Sequence, residues 1–421
     1  MKTENSFSLI LIIAMHLFNG TVAKSQDTIF CSIDKAEELF LKKNLFLLAA
    51  KCNIDKNNAL IIQSKAYPNP VFSANFNVYD PENDIYFHND KTGQKDFMFE
   101  QLIVLGGKRK ANIEIAKTNK ELAENEFSDI LRNLKFQLHI SFYNIYQYQN
   151  NVTKYNQQLL LLDTLINSYE LQATKGNISL KDVIRLKSVY LKINNERAEN
   201  IQALNSENKN IQLLIQEQGI FSPIVNNTLL ESYTKLFSLD EIETNAINKR
   251  PDLIIGNKMV HMAELNFKLQ KRTVIPDAVF NVSTDQRGGA FMNQINAGIS
   301  LPLPLWNTNR GNIKAAKIDI NYNNYLFDQR KNEIKAEVLE AYQNMDRSIK
   351  EYNKSKKLYN SNFEMVFKSV NENFSKKNIS IIEFVDFIEA YNDALKEIER
   401  IKSQISISAA QINYVSGTNL Y

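Results

Sequence analysis

The sequence predicts a mainly α chain with a membrane β-barrel: long α-helical hairpins plus four β-strands per chain. Three copies would share one twelve-stranded barrel and a helical tunnel. Three observations lead there. Two stretches of more than a hundred residues lack proline and nearly lack glycine, the two halves of the chain repeat one another, and short segments between them alternate apolar and polar residues.

The helices come first. All eight prolines lie at 68, 70, 81, 223, 251, 276, 302 and 304. Between Lys108 and Glu217 the only glycine is Gly176, and between Asn312 and Ser416 there is none. Proline breaks helix interiors and glycine weakens them, so both stretches can be very long helices. Lys108 to Lys175 would extend about 100 Å at the helical rise, beyond any ordinary domain. Such helices are expected to pair as hairpins or coiled coils.

The halves are copies. Lys175-Gly176-Asn177-Ile178-Ser179-Leu180 is answered by Lys376-Lys377-Asn378-Ile379-Ser380-Ile381, and Tyr190 by Tyr391 at the same offset. Upstream, Tyr67-Pro68-Asn69-Pro70-Val71-Phe72 corresponds to Ile275-Pro276-Asp277-Ala278-Val279-Phe280. Each half reads as helix, proline-bearing turn, β region, turn, very long helix, tip turn and return helix. The expected division is a signal segment over 1–25, a first repeat over 26–220 and a second over 221–421.

The β regions alternate with period two. Phe72, Ala74, Phe76 and Val78 interleave with Ser73, Asn75 and Asn77; Ile295, Ala297, Ile299 and Leu301 interleave with Gln294, Asn296, Gly298 and Ser300. Ala278, Phe280 and Val282 alternate with Val279, Asn281, Ser283 and Asp285 less cleanly, and Phe97 to Leu105 is more uniformly apolar, with Glu100 and Gln101 inside it. Period two means strands with one apolar face. Four strands cannot close a barrel and lipid forbids an open edge, so chains must pool them. A trimer gives the smallest barrel with a lumen. Ser73, Asn75, Asn77, Asn281, Ser283, Gln294 and Asn296 would line it, and the opposite face would meet outer-membrane lipid.

Composition excludes several alternatives. Lys plus Arg (50) nearly balances Asp plus Glu (47), which gives no field favouring nucleic acid. Lys2 followed by the apolar run Phe7–Phe18 reads as a secretory signal, too short to span a membrane. Cys31 and Cys52 are expected as two buried free thiols. The four histidines, His16, His88, His139 and His261, are scattered. No metal-ligand cluster, phosphate loop or nucleophile elbow accompanies them, so neither an enzyme nor a cofactor is expected.

The motifs Ala66-Tyr67-Pro68-Asn69-Pro70, Arg250-Pro251-Asp252-Leu253 and Leu303-Pro304-Leu305-Trp306-Asn307 through Gly311, with the two tip turns, resemble the TolC-like family of outer-membrane efflux channels. The stretch Trp306–Gly311 is similar to its CzcC-like heavy-metal branch. The resemblance covers nearly the whole mature chain. It implies a homotrimer in the outer membrane of a Gram-negative bacterium, extending into the periplasm, with an equatorial belt from about 218–250 and the C-terminus. It also implies a periplasmic adaptor (a membrane fusion protein) and an inner-membrane pump, of the resistance-nodulation-division type, as partners. The adaptor would dock on the tips: Gly176, Asn177, Ile178, Ser179 and Leu180 in the first copy, Lys377, Asn378, Ile379, Ser380 and Ile381 in the second. Asp182, Glu383 and Asp386 match family positions at the periplasmic gate, and Glu383 and Asp386 share a helix face. Lys377 stands where the family has glycine, so the second turn is expected to differ or to be strained. Two other readings stand beside the efflux duct: an outer-membrane conduit for type I protein secretion, and a periplasmic coiled-coil structural or adaptor protein.

Overall fold

The computed structural model describes residues 28–288, 290–359 and 362–421; the expected signal segment lies outside them. In chain order, β1 (Thr28–Cys31) leads into α1 (Ile33–Lys43) and α2 (Leu45–Lys65). Next come β2 (Val71–Phe76), a small hairpin of β3 (Tyr79–Asp80) and β4 (Ile85–Tyr86), and β5 (Gln94–Ile103). Then α3 (Lys108–Thr174) runs 67 residues unbroken and α4 (Leu180–Ile215) returns. Short elements follow over the expected belt: β6 (Ile220–Pro223), α5 (Asn227–Ser232) and α6 (Leu239–Lys249). The second half repeats the order with α7 (Pro251–Arg272), β7 (Ala278–Arg287), β8 (Phe291–Ser300), α8 (Arg310–Leu358), α9 (Asn362–Ser375) and α10 (Ile381–Ser416).

Contacts gather the described residues into two units that cut across the expected repeats: Ser141–Val225 with 28–40, and Leu41–Ile140 with Asn226–Tyr421. In the first unit the outer part of α3 pairs with α4 through Leu162, Ile166, Val183, Leu186, Val189 and Ile193, all buried. Polar rungs fix the register of this pair. Buried Asn151 donates to Asn200 Oδ1 at 3.0 Å, and the Tyr155 hydroxyl donates to Glu196 at 3.0 Å. A buried amide pair costs packing energy but admits one register only. β1 and β6 form a parallel pair, Thr28 opposite Ile220 and Cys31 opposite Pro223.

The second unit holds an antiparallel sheet in the order β2-β5-β7-β8. Below it α7 and α10 pack on α8. Their junction is tied by Arg250, which is fully buried. Its guanidinium reaches Asp252 at 2.7 Å and Glu337 at 2.6 Å. Asp252 also receives Arg330 at 2.7 Å and Arg132 at 3.3 Å. Burial alone would raise the Asp252 carboxyl pKa, but these cations outweigh it and hold it well below the usual carboxylate range. Pro251 occupies the first helical position of α7, where its missing N–H costs nothing. Gly417 ends α10 at φ +69°, and a Cβ there would sit 3.1 Å from the Arg250 backbone. The Arg250-Pro251-Asp252 motif is thus a helix start and an ion-pair hub together.

Two expectations need correction. The second long helix is not continuous: α8 ends at Leu358 with Tyr359 extended (φ −91°, ψ 94°). No proline or glycine does this. The Tyr359 ring meets that of Phe363 at 5.0 Å, and aromatic packing of this kind outweighs the helix preference of the segment before it. Cys52 is not buried. Both thiols are free, and burial raises the pKa of Cys31, but α2 buries only Leu47, which leaves Cys52 exposed.

Candidate functional site

The ladder decides which side chains share a face of the sheet. Directly paired residues lie on the same side, so the rows can be read across all four strands. One row is Ser73, Met98, Ser283 and Asn296; the next is Asn75, Asp96, Asp285 and Gln294; a third is Val71, Glu100, Asn281 and Gly298. Six of the seven residues expected in the lumen therefore fall on one face. Asn77 lies one position past β2, where its backbone N–H donates to Asn89 Oδ1 and to Gln94 O. The opposite face is mainly apolar, with Phe72, Ala74, Phe76, Phe97, Phe99, Phe280, Val282, Ile295, Ala297 and Ile299, and carries Gln101 and Thr284 among them and Lys95 and Gln286 at the loop end. Among the described residues its middle stands open: Ile295 and Ile299 are 74% and 75% exposed.

The polar face also carries Asp96 and Glu100, which the sequence reading did not place. Asn75 Nδ2 donates to Asp96 at 3.0 Å, and Arg287 Nε stands 3.3 Å from Asp285. Phe97–Leu105 lacks clean alternation, so its phase is fixed only by pairing to β7. Counting outward from Asn281 and Ser283 would have been the one available clue.

All four helices meet the sheet at one end: α2 before Val71, α3 after Ile103, α7 before Ala278 and α8 after Ser300. The other end bears the long β2–β5 loop. There buried His88 lies between Asp80 at 2.7 Å and Thr92 Oγ1 at 2.9 Å. Hydrogen bonds from Asn83 and His88 bring the Asp80 pKa down to about 2.

At the first tip Gly176 takes φ +73° with open space around it. Its N–H donates to Ala173 O at 3.0 Å and that of Asn177 to Gln172 O at 2.9 Å. Ser179 caps α4 by accepting from Lys181 N, Ile178 is half-buried, and Leu180 is exposed. Asp182 lies half-buried in the first turn; with burial as the larger cause, its charge raises the Tyr169 pKa.

The second tip repeats this turn bond for bond. Lys377 N–H donates to Phe374 O at 3.0 Å and Asn378 N–H to Asn373 O at 2.9 Å, with Lys377 at φ +61°. Ser380 and Glu383 form a reciprocal capping box: Glu383 N–H donates to Ser380 Oγ at 3.2 Å and Ser380 N–H to Glu383 Oε2 at 2.7 Å. Hydrogen bonds from Ser380 lower the Glu383 pKa. Glu383 and Asp386 are both exposed; Ile379 and Ile381 are half-buried. Among the described residues no group of three or more His, Cys, Asp or Glu could hold a metal ion, and no helix is long and apolar enough to cross a membrane.

No protein-family profile matches the chain. It is 22% identical over 290 residues to the cobalt-zinc-cadmium resistance protein CzcC of Cupriavidus metallidurans, a match over 68% of this chain and just under two thirds (66%) of that protein's length. A crystal structure of CusC superposes with a TM-score of 0.73 at 15% identity, over 94% of this chain and 96% of the other. The CmeC outer-membrane channel of Campylobacter jejuni gives 0.73 at 12%, over 92% and 86%. The outer-membrane protein VceC of Vibrio cholerae gives 0.68 at 11%, over 92% and 97%. The chain has the fold of the TolC-like outer-membrane channels.

Proposed function

We propose that this chain is the outer-membrane subunit of a tripartite efflux system, a passive duct without catalytic chemistry. The observation that carries the reading is the four-stranded sheet with one polar face, one bare apolar face and two open edges. Bare apolar area of this extent is unfavourable in water and unpaired edges are unfavourable in lipid. Three chains pairing β8 of one with β2 of the next meet both demands. The resulting barrel has an apolar wall and a lumen of Ser73, Asn75, Asn281, Ser283, Gln294 and Asn296 beside Asp96, Glu100 and Asp285. The helices, all leaving one end, form the periplasmic tunnel.

The lumen carboxylates favour cationic cargo, in keeping with the metal-resistance name of the CzcC relative. The tips close the far end. Glu383 and Asp386, tripled by symmetry, form an entrance constriction with Asp182 among the residues that hold it shut. A membrane fusion protein docks on Gly176–Leu180 and Lys377–Ile381 and biases the tips outward; an inner-membrane pump of the resistance-nodulation-division type supplies the energy. The uncovered apolar sheet face weighs against a soluble coiled-coil scaffold.

Conductance of the purified trimer in a planar lipid bilayer tests this reading. Discrete cation-preferring steps are expected. Glu383→Gln with Asp386→Asn keeps the capping box, since Gln serves it too, and should lower cation selectivity in well-formed channels. Folded protein that never enters lipid would overturn the channel assignment, and unchanged selectivity in the double variant would remove the gate.

A further inference from the structure

Beside the Arg250 hub the second unit holds a cavity of about 360 Å³ that the channel reading does not use. Three stretches of chain wall it. Lys135, Phe136 and His139 come from one side of α3, Lys249 ends α6, and Tyr414 and Asn419 belong to the end of α10 and the residues after it. The apolar wall is fixed in place. The Phe136 and Tyr414 rings stack at 4.8 Å and 16°, the Arg132 guanidinium lies 4.3 Å from the Tyr414 ring centre, and the Tyr414 hydroxyl donates to Asn133 Oδ1 at 2.8 Å. The lining carries cations and no carboxylate. Arg132 is answered from outside the lining, by Asp129 at 2.6 Å and Asp252 at 3.3 Å. Lys135 is half-buried and donates to Asn419 Oδ1 across a long 3.4 Å; Lys249 is exposed.

We infer that this cavity binds a small aromatic carboxylate, its charge held by the Lys135 and Lys249 ammonium groups and its ring laid against the Phe136–Tyr414 stack. Two features name the occupant. Lysines lining a space without a carboxylate call for an anion, and hydrogen bonds between ions are the strong ones. An aromatic wall that is ordered before anything binds suits a flat ring, which loses little freedom on docking. The volume lies toward the lower end of the range for small-molecule sites. Such an occupant has the sign opposite to the cationic cargo proposed for the lumen, so the cavity is not a station along that duct. It is a separate site, and it stands whether or not the strands form a barrel.

Equilibrium dialysis of the full chain against naphthoate, with the same detergent on both sides, tests the site. Saturable uptake of one naphthoate per chain is expected. The neutral isostere naphthylmethanol should bind the wild-type protein about tenfold or more weakly, and so should naphthoate the Lys135→Gln, Lys249→Gln double variant. Ser128→Trp, at the exposed rim of the cavity, fills its mouth and should abolish uptake. Equal uptake of the two probes by wild-type protein would reduce the event to apolar partition and overturn the inference, with no variant needed. Absence of saturable uptake overturns it as well, and would mean that the cavity is closed in the assembled protein. Naphthoate binding unchanged in the double variant, or surviving Ser128→Trp, would put the anion elsewhere and overturn it too.

Discussion

The two tips share a turn, yet they reach it by different means. Both close with the same pair of backbone hydrogen bonds and the same asparagine. The first puts Gly176 at the left-handed position, where no Cβ is strained. The second puts Lys377 there, which costs about 1–2 kcal/mol. The second tip also has what the first lacks. Phe374 and Phe384 stack at 3.9 Å and 7°, where the first copy has Ala173 and Val183, and Ser380 has a reciprocal partner in Glu383 where Ser179 has none. Strain at one position persists when neighbouring contacts determine the conformation. The comparison teaches that the turn is set by how the helix ends, and that its residues need only be compatible.

The largest effect should come from the aromatic clasp. Phe384→Ala empties a fully buried site and should lower local stability by about 3–5 kcal/mol. Val183→Ala, its counterpart in the first copy, should lose only about 1.5 kcal/mol. Amide hydrogen exchange across each tip measures both, and equal losses would mean that the clasp does not compensate for Lys377.

A smaller and opposite pair sharpens the point. Lys377→Gly relieves the left-handed strain and should stabilise the second tip by about 1 kcal/mol, whereas Gly176→Ala should destabilise the first by a similar amount. Chemical denaturation of the protein followed at tip-specific probes distinguishes the signs. A Lys377→Gly variant no more stable than wild type would show that the strain is already offset.

The smallest effect is the cap. Ser380→Ala should cost about 1 kcal/mol, with Ser179→Ala somewhat below it. The capping box also predicts a pH response confined to the second tip. Glu383 has its pKa lowered from 4.5 in the folded state, so its contribution is complete above that value and is lost as pH falls below it. Exchange protection of the Ser380 amide should therefore fall on acidification while that of Ser179 does not. Parallel loss at both tips would sink the assignment.

Much of this was legible in the sequence because proline, glycine and period-two alternation act locally. Gly176 and Ser179 mark a turn by their own conformational preferences, and the helix expected from Lys108 to Lys175 for want of any breaker runs from Lys108 to Thr174. Other features were not legible. Asp96 and Glu100 join the polar face through pairing with β7, far away in sequence. Arg250 read as part of a motif, but its burial depends on Asp252, Glu337, Arg330 and Arg132 converging from separate elements. The break at Tyr359 depends on packing that outweighs weak helix preferences.

The sequence by itself determined the unbroken first long helix, the strand hairpins and the tip turns, since these follow from backbone preferences within a few residues. The tertiary structure alone decided the phase of β5, the ion-pair hub at Arg250 and the exposure of Cys52. Each of these depends on what lies opposite a residue, and a linear pattern carries no record of its neighbours in space.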